Sequence, residues 1–183
     1  MPITDIREKV LSGQLKLKQE AVWVPQWDEW VMVRELNGKE RASVIEANTY
    51  KKGSQAGQIN VTNFYPHLAI ASARYPTADV EPAEVEVPVT DENGEPVLDA
   101  NKEPVTKLVP SAHLAQYPSL DERQGNPLAG MLIFRRSDDP TKPDLAVRDA
   151  LNETSGAALE VIAQVAARLS ALLPQDIAEK KGS

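Results

Sequence analysis

Cysteine is absent from this 183-residue chain, which excludes disulfides, thiolate metal sites and cysteine nucleophiles. Histidine is nearly absent. His67 and His113 are the only two, too few for the usual imidazole-rich metal centre, so no metal and no cofactor is expected. Aromatic residues are scarce at 5%. No apolar run approaches the length of a membrane span, and the opening residues MPITDIREKV lack the apolar stretch of a signal peptide; a soluble cytoplasmic protein is the expectation. Enzyme signatures are missing too. There is no Gly-x-Gly-x-x-Gly, P-loop, Gly-x-Ser-x-Gly or His-Glu-x-x-His, so neither a phosphate cradle nor a nucleophile elbow has a candidate.

What remains is an ordinary globular composition, 42% hydrophobic and 26% charged, at a length suited to one domain. The net charge of -7 is unevenly placed. Residues 79–103 hold nine acidic side chains against Lys102, a local net of -8, and proline is frequent from Pro76 to Pro127. Such a segment repels phosphates, which argues against nucleic acid as a partner.

Local patterns give an α+β reading: an N-terminal β-hairpin followed by a small helical domain, with an inserted β-hairpin or meander. Thr4 and Glu8 start a short helix over residues 4–11. Residues 20–25 and 30–35 are β-branched and aromatic around the loop Gln26-Trp27-Asp28-Glu29, as in a hairpin. Period-two spacing puts Val22, Val24, Val31 and Val33 on the core face, and Trp23, Trp30 and Met32 on the other. Asn37 and Glu40 form a capping pair for a helix over residues 38–49. A second helix runs over residues 62–74 with Pro66 in its first turn. Prolines confine the acidic segment to edge strands or a projecting ribbon, with turns at Asp91-Glu92-Asn93-Gly94 and Asp99-Ala100-Asn101-Lys102. Leu159, Ile162, Val165 and Leu169 recur at helical spacing in an Ala-rich stretch capped by Thr154 or Ser155. The resulting divisions are 1–78 (hairpin and first helices), 79–110 (acidic insertion), 111–174 (remaining helical part of the same domain) and 175–183 (tail). No internal repeat is expected.

His67 and His113 read as packing side chains beside Leu68 and Leu114 rather than as bases, and Asp121-Glu122 and Asp138-Asp139 as solvated charge. The tryptophans leave two readings open. Trp23, Trp27 and Trp30 crowd one hairpin, where with Met32 they either cap the core or form a protein-binding patch. The stripe Leu159, Ile162, Val165 and Leu169 is likewise either core or a docking face for another helix.

Residues 10–46, and within them Val22, Val24, Pro25, Trp27, Val31, Val33, Arg34, Glu35, Leu36, Gly38, Glu40 and Arg41, resemble the opening of tail assembly chaperones of long-tailed bacteriophages and related prophages. Leu68-Ala69-Ile70-Ala71-Ser72, the Asp91–Gly94 turn and the C-terminal Ala/Leu helix follow in the family's order. The resemblance covers about half the chain and departs in the long acidic middle. It implies a non-catalytic protein that binds the tape measure protein, helps tail tube protein assemble around it and associates with copies of itself. It also implies work in the host cytoplasm, absence from the mature virion, and a longer product made by programmed frameshift near Glu179-Lys180-Lys181-Gly182. No nucleic acid or membrane is among the implied partners. A structural virion protein of the tail or head–tail junction is the alternative, and a small hydrolase with converging carboxylates a further one.

Overall fold

The computed structural model describes residues 16–91, 95–98, 102 and 104–172. The helix expected over residues 4–11 and the tail 175–183 lie outside them.

Strands β1 (Gln19–Val24) and β2 (Glu29–Arg34) form the expected antiparallel hairpin, with Val22 opposite Val31 and Trp23 opposite Trp30. The connecting loop is Pro25 to Asp28, one residue earlier than the sequence suggests, because Glu29 pairs with Val24. Asp28 closes it at φ 53, a left-handed conformation that aspartate tolerates better than most residues. Helix α1 (Gly38–Ala47) begins on the expected capping box. The Asn37 side chain accepts from the Lys39 and Glu40 amides at 3.0 and 2.9 Å, and Glu40 Oε2 accepts from the Asn37 amide at 2.9 Å. It ends two residues early, where the Asn48 side-chain Nδ2 donates back to the Val44 carbonyl at 2.7 Å.

Helix α2 (Val61–Ser72) places Pro66 in its second turn rather than its first, leaving the Thr62 carbonyl without its helical donor. It stops before Ala73 because a ladder takes over. Ala73–Arg74 is strand β3, paired with Val33 and Met32 on one edge, while the Ile133 amide donates to the Ala73 carbonyl on the other at 3.1 Å. The sheet order is β1-β2-β3.

A single 3₁₀ turn, Leu145–Val147, leads into α4 (Arg148–Leu169), so named because the short α3 (Leu120–Gly125) precedes it. The start expected at Thr154 or Ser155 is instead a kink, with Ser155 at φ -143 and ψ 27. At its other end, Ala171 sits at φ 49 while the Leu172 amide reaches the Ala167 carbonyl at 2.8 Å and the Ala171 amide the Arg168 carbonyl at 3.4 Å. That is the Schellman arrangement, with alanine where glycine is usual.

The core has two parts, one on each face of the sheet. Val24, Val31 and Val33 pack against Phe64 and Leu68 of α2 and against Leu159, Ile162 and Ala166 of α4. On the opposite face Ala21, Trp30 and Met32 lie under Val80 and Tyr117. Arg123, 5% exposed, fastens this second layer. It donates to the carbonyls of Pro118, Thr77 and Val80 at 3.0, 3.0 and 2.8 Å, pairs with Glu81 at 2.6 Å, and lies 4.6 Å over the Tyr117 ring. Val80, Glu81 and Pro82 are therefore tied to the body, although they fall in the expected insertion 79–110.

The insertion proper starts at β4 (Val85–Pro88), paired antiparallel with β5 (Thr106–Val109). Beyond that ladder the backbone closes a ring. The Val89 amide donates to the Val105 carbonyl, Val105 to Val97 and Val97 to Val89, each at 2.8 Å. Antiparallel bridges Thr90–Pro96 and Leu98–Pro104 flank it. The ring follows from an internal repeat that the sequence reading missed: Pro88-Val89, Pro96-Val97 and Pro104-Val105 recur every eight residues. Each valine supplies one donor and one acceptor to the junction, and each preceding proline brings no amide that needs a partner.

Candidate functional site

Five of the eight candidate binding residues are interior. Trp30 is 6% and Met32 1% exposed, and Leu159, Ile162 and Leu169 are buried in the core. As members of an exposed patch they are corrected to packing residues, because both faces of the hairpin are covered. The two groups also face opposite ways: Leu159, Ile162 and Leu169 belong to the helical layer, Trp30 and Met32 to the Tyr117 layer. Polar ends are accommodated where they are buried. Trp30 Nε1 donates to the His113 carbonyl at 2.9 Å, its ring meets Tyr117 edge-on at 5.2 Å, and Met32 Sδ accepts from the Thr77 hydroxyl at 3.3 Å.

Trp23, Trp27 and Val165 stay half-buried. Trp23 stacks on His113 with ring centroids 4.2 Å apart and a 6° interplanar angle, which uses one of its faces. Trp27, in the hairpin loop, meets Phe134 edge-on at 5.8 Å. These two rings flank a groove of about 510 Å³ that Tyr75, Pro76, Pro118 and Ile133 continue, with Glu29 and Asn126 as polar members. Arg135 lies 6.0 Å over the Tyr75 ring. Of this lining, Trp27 and Trp30 are the residues expected from the sequence to bind a partner. The run Leu128 to Phe134 has no usable period, since it crosses the sheet edge as the single bridge Arg74–Leu132.

A second cleft, of about 470 Å³, opens between α2 and α4 beside the kink and is lined by Val61, Tyr65, Pro66, Asn152, Gly156 and Glu160.

The ionisable groups do not converge on either cleft as an acid–base set. His67 is buried, and its Nδ1 faces the Asn48 amide nitrogen at 2.9 Å. Burial holds its pKa near 4, below the usual 6.5, and the Arg148 charge adds to the effect. A neutral imidazole accepts from Asn48 Nδ2, which also donates to the Val44 carbonyl. His113 Nδ1 meets Gln116 Oε1 at 3.1 Å. Asp138 pairs with Arg136, and Asp139 is held down to about 2 chiefly by the Thr141 hydroxyl, so this loop stays ionised and solvated. Among the described residues no group of three or more His, Asp or Glu could hold a metal, and no helix is long and apolar enough to cross a membrane. No protein-family model, curated protein or solved structure matches the chain.

Proposed function

We propose that this protein is a phage tail assembly chaperone, a non-catalytic protein that binds an apolar helical segment of the tape measure protein and promotes tail tube assembly. The observation that carries the reading is the groove at the hairpin loop. Trp27, from the block that resembles the family's opening, stands there beside Phe134 over a lining of aromatic rings, prolines and Ile133. Half-buried aromatics around an apolar concavity suit a client that offers aliphatic side chains without a reacting group. The acidic segment supports the same role by keeping a client-bound complex soluble.

Co-expression with the tape measure protein tests this. Wild type should capture it, and Trp27→Ser/Phe134→Ser should lose about tenfold or more in affinity, the loss of two aromatic anchors. Equal capture by a folded double variant overturns the assignment of the groove. Mass spectrometry of purified particles separates the chaperone from a structural protein of the tail or head–tail junction, since a chaperone working in the host cytoplasm leaves no copies in the virion.

A further inference from the structure

The sheet face that buries Trp30 and Met32 continues into a polar row independent of the groove. Gln19 on β1 stands opposite Arg34 on β2, and Arg74 on β3 stands opposite Met32, so strand alternation brings Gln19, Arg34 and Arg74 to one face. The two guanidiniums share one carboxylate. Arg34 Nη2 lies 2.6 Å and Arg74 Nη2 3.8 Å from the same oxygen, Glu40 Oε1. Arg74 is only 8% exposed. Among the described residues, three buried side-chain atoms have no hydrogen-bond partner, and all three belong to this row: Gln19 Oε1, Arg34 Nε and Arg74 Nε. A buried Arg74 beside a half-buried Arg34 against one anion, with two buried and idle N–H donors, is an arrangement that costs free energy until an acceptor arrives.

We propose that Arg34 and Arg74 form a binding site for a phosphate-class oxyanion. The Nε–H of a guanidinium is one donor of a two-donor edge, and here it is unused on both arginines while Nη2 of each is directed at Glu40. Two forks approaching from neighbouring strands suit an anion with three or four oxygens better than a carboxylate, whose two oxygens a single fork satisfies. Gln19 turns its amide nitrogen toward the anion by rotating about its last side-chain bond. Glu40 is the resident competitor. Its side chain and that of Arg34 are the more exposed parts of the cluster, which gives the anion its approach.

Inorganic phosphate titrated into the full chain tests the proposal by calorimetry and melting temperature, with chloride and acetate at equal ionic strength beside it. Saturable binding and stabilisation by phosphate are expected. Glu40→Gln should bind about tenfold tighter, because glutamine still completes the capping box but no longer competes as an anion. Arg34→Lys keeps the charge but loses the fork, and should bind about tenfold more weakly. If that variant fails to fold, the gain in Glu40→Gln still decides, since a purely structural cluster predicts no gain. Coincident phosphate and chloride melting curves in both wild type and Glu40→Gln overturn the site, and acetate matching phosphate overturns its assignment to phosphate.

Discussion

The hairpin and the acidic ribbon are both antiparallel β structure, yet they are held by different forces. The hairpin of β1 and β2 is covered on both faces, so its side chains carry its stability: valines into the helical layer, Trp30 and Met32 into the Tyr117 layer. In the ribbon, Val97, Leu98 and Val105 are exposed, and what defines it is backbone, the Val89–Val97–Val105 ring and the β4–β5 ladder. A two-stranded ribbon is marginal alone, so this one depends on the body that anchors its base. Side-chain truncation should therefore be severe in the first region and nearly silent in the second.

The largest effect is expected at Trp30. Trp30→Ala removes a buried ring and leaves the His113 carbonyl without its donor, at a cost of about 3–5 kcal/mol in urea denaturation. Val97→Ala in the ribbon should change the midpoint by less than about 0.5 kcal/mol, as exposed substitutions usually do. Similar costs at the two sites break the comparison.

His67 sharpens it through pH. Its imidazole is neutral in the fold with a pKa near 4, whereas the unfolded chain takes up the proton below about 6.5. The unfolded state thus binds more protons between those values. The His67 contribution is complete above pH 6.5 and is lost as pH falls toward 4, by about 3 kcal/mol at most. Urea midpoints of wild type at pH 7 and 4.5 should differ by more than those of His67→Gln, and parallel pH curves for the two proteins would place the acid sensitivity elsewhere.

A smaller effect is expected at the end of α4. Ala171 occupies a left-handed conformation that costs about 1 kcal/mol relative to glycine. Ala171→Gly should raise stability by about that amount, less the flexibility that glycine adds to the unfolded chain. Thermal melting measures it; a fall in melting temperature argues against the Schellman arrangement.

The same contrast explains what could be read from the sequence. The hairpin, the alternation of its faces and the Asn37–Glu40 box are legible because their partners lie close in sequence, although the loop sits one residue earlier than expected. The fate of Trp30 and Met32 was not, because the layer that covers them comes from Val80 and Tyr117, far along the chain. Strand β3 was read as the last turn of α2, since only its long-range pairing with β2 distinguishes the two. Of the groove, Trp27 was legible as a crowded tryptophan, but Phe134 meets it from a run without period. The Pro-Val repeat is present in the sequence at a spacing of eight, with turn residues between its copies, so no single helix or strand pattern joins them.

The clearest division between the regions, at little cost in stability, should come from removing the ribbon. Val85 and Val109 are paired across the ladder, so the two ends lie side by side and a two-residue Asn-Gly turn can join residues 84 and 110. The cut has to begin at residue 85 and not at 79, because Val80 is buried and Glu81 holds Arg123. Deleting residues 79–108 takes those anchors away and should uncover Trp30, with a red shift in tryptophan fluorescence. Deleting 85–109 should leave the fluorescence unchanged and shift the melting free energy by less than about 1 kcal/mol, since the described side chains of that span are exposed or half-buried. It also removes six acidic and two basic residues, which takes the net charge from -7 to -3. Lower solubility with unchanged stability would show that the ribbon serves the protein through its charge rather than its packing; a body that unfolds without it would show that the two regions are one cooperative unit.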